Sequence, residues 1–305
     1  MSNRGQMTVV STALVALAAF FWGMSGGIGG ILMADGWDAF VVSFYRGAIG
    51  LLCVLLWLLL RPHGSGLSNP WLWFWSAVAG IGVAGNFSFY FLSISHGSVA
   101  VAATLMYCAP VFVYLVSFAL KLESPTPIKW AAIAVVMLGI ALLTQVYDVG
   151  ASGVTALGVG AGLLAGLSYA IFIFGFKYAA PHGSPQAILA IAFAVLAMIL
   201  IWPGDPEQTV AALSTSDWPL FLALGVFGAG LSFVLYIIGL NYTAPAVASI
   251  VAMVEPVTAS LFGVVVLSEH LVGPQIVGMG LILITVTALS VYTSSGQPPP
   301  SEATN

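Results

Sequence analysis

The chain predicts an all-α membrane protein of ten transmembrane helices in a 5+5 inverted repeat, and three observations on its 305 residues carry that expectation. Hydrophobic residues make up 60% of the chain and charged ones only 5%. Soluble domains carry about 25% charged residues, so a water-facing surface could not be covered here. The apolar runs are long enough to cross about 30 Å of hydrocarbon as helices, which takes roughly 20 residues each, whereas a barrel would show shorter alternating segments. Finally, Tyr90 to Leu143 aligns with Tyr236 to Leu289 at a constant offset. Tyr90 falls on Tyr236, Pro110 on Pro256, Glu123 on Glu269, Leu115 on Leu261, and Ala100-Val101-Ala102 on Ala246-Val247-Ala248. Duplicated units meeting around helix breaks at bilayer depth are the mark of secondary transporters.

The first repeat, residues 8–146, reads as Thr8–Met33, Asp38–Leu60, Pro70–Ser93, Ser98–Leu120 and Pro127–Val146. The first of these is too long for a signal-peptide core and lacks a convincing cleavage site, so it is kept as a span. The second repeat, residues 153–292, reads as Gly153–Lys177, Ser184–Pro203, Asp217–Leu240, Pro245–Leu267 and Val272–Tyr292. Connections such as Ala34-Asp35-Gly36 and Arg61-Pro62-His63-Gly64 are short and turn-like. They leave no room for a soluble domain. Residues 294–305, rich in Pro, Ser and Gln, are expected to be a disordered tail.

Lys and Arg set the orientation. With the N-terminus cytoplasmic, Arg4, Arg61, Lys121, Lys129 and Lys177 all fall inside. Asp35, Asp38, Asp148, Asp205, Glu207 and Asp217 fall outside. Both termini are therefore expected in the cytoplasm. An odd number of helices per repeat turns the second copy upside down, so that one half can rock against the other.

The run Ala103-Thr104-Leu105-Met106-Tyr107-Cys108-Ala109-Pro110, followed by Leu122-Glu123 and Gly139-Ile140, resembles the repeat of the EamA family in the drug/metabolite transporter superfamily. The second copy resembles it more closely, with Met253-Val254-Glu255-Pro256-Val257, Leu267-Ser268-Glu269 and Gln275-Ile276-Val277-Gly278. Trp22-Gly23 in the first span and Arg46 in the second fit as well. The resemblance covers nearly the whole chain. It implies a five-plus-five bundle around a central cavity with alternating access, lined mainly by the first, third, fourth, sixth, eighth and ninth helices. It also implies a bacterial inner membrane. Within the family the chain is most similar to exporters of aromatic amino acids, some of which also expel toxic organic cations.

Glu255 lies at mid-span before Pro256, and a carboxylate at that depth marks a functional site by default. It can bind a substrate ammonium, carry a coupling proton, or stay protonated and hydrogen-bond to backbone freed by the proline. Ala109 at the equivalent place shows that the repeat itself does not demand the carboxylate. Trp22, Tyr90, Tyr107, Tyr169 and Tyr236 carry polar atoms towards mid-span that need partners, and a wet cavity would supply them. Phe87 and Phe172 are weaker candidates. Tyr242, Trp71, Trp73 and Trp218 read as interfacial belts. Ser25 and Asn86 can contact substrate, although interhelical hydrogen bonding is the commoner role. Pro110 and Pro256 read as kinks and hinge points of a gate. Arg46 is expected to snorkel to the outer headgroups or pair with Asp35 or Asp38, with direct contact to a substrate carboxylate the less common alternative.

The series Gly23-x-x-x-Gly27, Gly26-x-x-x-Gly30 and Gly158-x-x-x-Gly162-x-x-x-Gly166 allow close helix approach, static or sliding. Gly23-Met24-Ser25-Gly26-Gly27 fits a serine-nucleophile pattern, but a nucleophile needs a base. His63, His96, His182 and His270 all fall at span ends or in loops, so an enzyme is not expected. Cys53 and Cys108 form no disulfide or metal framework, and no cofactor is implied. The leading expectation is a carrier exporting aromatic amino acids, with little fixed charge in its cavity. The alternatives are a proton-coupled exporter of lipophilic cations and, from another class, a channel or structural membrane protein.

Overall fold

A computed structural model describes residues 3–62, 64–96, 99–122, 125–148, 155–266, 268 and 270–295. His63, Glu123 and Glu269 lie outside the described residues, as do 296–305 of the expected tail; Ser294 and Ser295 close the last helix. Every regular element among the described residues is helical. Helices start where a short polar side chain meets an apolar run. Asp38 caps α2 (Ala39–Leu60), accepting from Phe40 N and Val41 N at 2.9 and 3.1 Å. Asn69 caps α3 (Pro70–Ser95), and Thr126 caps α6 (Pro127–Thr144). Thr155 caps α7 (Ala156–Ala179), and Ser184 caps α8 (Pro185–Leu200). A side-chain oxygen there satisfies an otherwise orphaned N–H, and the proline opening α3, α6 and α8 sits where none is needed.

Among the described residues, eight helices are long and apolar enough to cross a membrane. They include α1 (Asn3–Ala34), α2, α3, α6 and α7. Two shorter apolar helices, Pro185–Leu200 and Gly273–Leu289, occupy the positions of the other two expected spans. The fourth expected span is broken into α4 (Val99–Met106) and α5 (Ala109–Ala119). The ninth is broken into α12 (Pro245–Val251) and α13 (Val254–Val266). Both breaks lie in the turn before a proline, Pro110 or Pro256, where the ring removes a donor and crowds the preceding carbonyl.

Two features were not expected. The connection before the eighth span holds a short helix, α9 (Pro206–Ala211). The eighth span itself runs as α10 (Trp218–Gly225), a π-helical turn at Val226–Leu231 and α11 (Ser232–Leu240). The chain closes with α14 (Gly273–Ser295).

Packing follows the halves of the chain. α7 lies along α3 and α4, and α1 lies along α11 and α13. α2 packs on α8, and α6 on α14. Glycines set the closest approaches. A Cβ on Gly175 would come within 2.7 Å of Ala79 N, and one on Gly23 would strike the Glu255 carbonyl and Thr258. Of the predicted glycine series, Gly23, Gly27, Gly158, Gly162 and Gly166 abut neighbouring chain, whereas Gly26 and Gly30 face open space. At one end of the bundle Trp37 Nε1 donates to Asp217 (2.8 Å), and Tyr45 Oη donates to the Thr209 carbonyl (2.6 Å). At the other end Lys177 Nζ donates to the carbonyls of Leu240, Asn241 and Thr243, tying α7 to the end of α11.

Candidate functional site

A cavity of about 260 Å³ opens between α1, α2, α3, α4, α10 and α13. It reaches from Glu255 towards Met33 and Val42, at the ends of their helices beside the 35–38 connection, and towards Leu224 on α10. Six of the expected binding residues line it: Trp22, Ser25, Asn86, Tyr90, Tyr107 and Glu255. Phe87 and Phe91 add aromatic wall, and Gly26 and Gly29 leave room where a side chain would narrow it.

Tyr169 and Tyr236 do not line this space. Tyr236 is fully buried, its ring centroid 4.9 Å from that of Trp22, and Tyr169 is 3% exposed. Tyr169 still reaches the site, since its hydroxyl donates to Glu255 Oε2 over 3.5 Å. With Phe172, Phe176 and Phe233 these rings form a packed cluster under Trp22. That cluster is the cavity floor. Two polar atoms in it, Trp22 Nε1 and Tyr236 Oη, are buried without a hydrogen-bond partner. Such groups lose their hydration uncompensated.

Pro110 and Pro256 are buried away from the cavity, immediately beyond the helix breaks. Near Pro256, Glu255 N donates to the Ala252 carbonyl at 2.9 Å. That carbonyl is the one a regular helix would pair with residue 256, so main chain re-satisfies the break. The Glu255 carboxylate is free to face the cavity. Ser25 Oγ donates to the Trp22 carbonyl (2.8 Å), a bond within its own helix. Asn86 Nδ2 donates to the Ala165 carbonyl on α7 (3.0 Å), the interhelical role such residues commonly take.

Arg46 corrects the sequence reading. It neither snorkels outward nor pairs with Asp35 or Asp38. The Asp38 carboxylate is engaged in capping α2. Arg46 turns into the cavity wall instead, where Nε and Nη2 donate to the Gly228 carbonyl at 3.0 and 2.8 Å. Its guanidinium carbon lies 5.1 Å from the centre of the Phe87 ring, a cation–π distance. Gly228 lies within the π-helical turn, and Arg46 supplies its carbonyl with charged donors. Nothing in the sequence of the eighth span marked that irregularity.

Residues 10–145 and 156–291 each match the EamA-like transporter family. The chain is similar to the uncharacterized transporter YwfM of Bacillus subtilis, 25% identical over 289 residues, covering 92% of this chain and 94% of that one. It is also similar to the threonine/homoserine exporter RhtA of Escherichia coli K12, 29% identical over 205 residues, covering 67% and 66% of the two chains. A solved crystal structure superposes with a TM-score of 0.74 at 19% identity, covering 97% of this chain and 100% of the other; that likeness speaks for the fold alone.

Proposed function

Since this chain belongs to the EamA-like transporter family and is a multi-pass membrane protein carrying small metabolites, we propose that it exports amino acids, aromatic ones among them, by alternating access. The bundle is read as ten spans in two inverted halves of five, 8–146 and 153–292, in a bacterial inner membrane with both termini cytoplasmic. Amino acids as the substrate class are supported by likeness to an exporter of threonine and homoserine. The aromatic preference is supported by the walls, where Trp22, Tyr90, Tyr107, Phe87 and Phe91 offer ring faces.

One observation carries the mechanism. The two family matches pair residue 10 with 156 and 145 with 291, extending the constant offset through both halves. Each cavity residue then has a counterpart in the opposite half of the bundle. Val42 and Ser43 map to Ile188 and Leu189, Gly26 to Phe172, Phe87 to Phe233, Tyr90 to Tyr236, and Tyr107 to Met253. All of these counterparts are buried. We read the cavity as one open vestibule and the packed rings of Phe172, Phe233 and Tyr236 as its closed counterpart, the arrangement of one of two exchanging states. With the termini inside, the open vestibule faces outward. The packed floor disfavours a channel. A lipophilic cation is disfavoured by the fixed positive charge of Arg46 on the wall.

Counterflow in proteoliposomes tests the proposal. Purified protein should exchange labelled phenylalanine, tyrosine or tryptophan saturably, with stimulation by unlabelled amino acid on the other side. Flux without saturation or counterflow would overturn the carrier mechanism. Faster exchange of threonine and homoserine than of phenylalanine would overturn the aromatic preference.

A further inference from the structure

Arg46 and Glu255 are opposite charges on different helices lining the same small cavity, and neither is in an ion pair. Each has hydrogen-bonding capacity to spare. The guanidinium has five N–H donors in a planar fork; Nε and one Nη2 hydrogen serve a single acceptor, Gly228 O, and Nη1 serves none. The Glu255 carboxylate accepts one long bond, from Tyr169. Unpaired charges at membrane depth cost several kcal/mol each in the absence of compensation. A scaffold built only for stability would either pair them or omit them. Omission is what the other half of the chain does, since the counterparts of Arg46 and Glu255 are Ala192 and Ala109, both buried.

We infer that the two charges form a two-ended anchor for the main-chain groups of an α-amino acid, the carboxylate on the Arg46 fork and the ammonium on Glu255. The substrate side chain then lies against the rings of Trp22, Tyr90 and Tyr107. This inference rests on the amino-acid export reading and narrows it, making Arg46 the residue that selects for a carboxylate. Arginine suits that task because its fork matches a carboxylate bidentately, which a lysine point charge does not. The Gly228 carbonyl holds the fork in place before substrate arrives.

The test compares three ligands sharing one ring: phenylalanine, phenethylamine lacking the carboxylate, and 3-phenylpropionate lacking the amine. Transport of each is measured in the same proteoliposome preparations, for wild type, Arg46→Gln, Arg46→Lys and Glu255→Gln. Rate ratios between ligands cancel differences in the amount of folded protein. Sites built to bond a polar group reject analogues lacking it strongly, so wild type should favour phenylalanine over both analogues by at least about tenfold. Arg46→Gln should erase the discrimination against the amine, and Arg46→Lys should restore part of it. Glu255→Gln should erase the discrimination against the acid. Wild-type selectivity needs no variant and keeps the test valid if Arg46→Gln does not fold. Equal transport of all three ligands by wild type would overturn the anchor, as would unchanged ratios in both Gln variants. A wild type that moves no amino acid would overturn the export reading itself.

Discussion

Glu255 stands where the other half of the chain has Ala109, accepts from Tyr169, and leaves the proline break beside it to be closed by main chain. Its carboxylate is therefore surplus to the fold. Glu255→Gln keeps the shape and can still accept from Tyr169, while removing charge and titration. Hydrogen bonds to charged groups contribute about 1.5–3 kcal/mol, and about 1.4 kcal/mol is tenfold in an equilibrium constant. The variant should insert and purify like wild type yet lose amino-acid transport by about tenfold or more, measured as initial uptake in proteoliposomes. Wild-type rates at every pH would show that charge at this position is idle. The mid-span Trp22, Tyr90 and Tyr107 were legible from sequence, because a polar atom on a ring at that depth needs a partner. The depth of Tyr169 and Tyr236 was equally legible. Their place beneath the cavity was not, since depth along a helix says nothing of which neighbour its face meets.

At the scale of elements, the prolines announced the two broken spans, but the π-helical turn at Val226–Leu231 had no such marker. The turn matters to the site, because its Gly228 carbonyl accepts from Arg46. The opposite end of the bundle is fastened by Lys177, whose ammonium spans three carbonyls where α11 runs into α12. A cation at a helix C-terminus satisfies carbonyls left without intrahelical partners. The counterpart of Lys177 is Ile31, so the opposite vestibule has no matching latch of this kind. Lys177→Met should loosen the closed end and raise the share of molecules open to the cytoplasm. A single cysteine at Leu189, buried in the closed state, should then be alkylated several-fold faster from the cytoplasmic side than in the Lys177 background. Equal rates in the two backgrounds would show that Lys177 does not hold the gate.

For the whole molecule, the proposed orientation, with both termini cytoplasmic, would assign the cavity to the outer face. In a background lacking Cys53 and Cys108, single cysteines at the exposed Asp148 and Glu207 should react with an impermeant maleimide on intact cells. Those at the exposed Arg61 and Lys121 should react only after permeabilisation. The reverse pattern would place the cavity on the cytoplasmic side, exchange the two gates, and move the Lys177 latch to the exterior.

The sequence by itself determined that this chain is helical and lives in a membrane, where its breaks fall, that it is duplicated, and which side chains sit at mid-depth. Those properties follow from local composition and spacing: apolar length sets a span, proline a break, and a constant offset a repeat. Only the tertiary structure decided which side chains meet at the cavity, that Phe172, Phe233 and Tyr236 pack together beside Trp22, and that Arg46 faces Gly228 rather than the headgroups. Which faces of the helices meet rests on small differences summed over many long-range contacts. No window of sequence holds that sum.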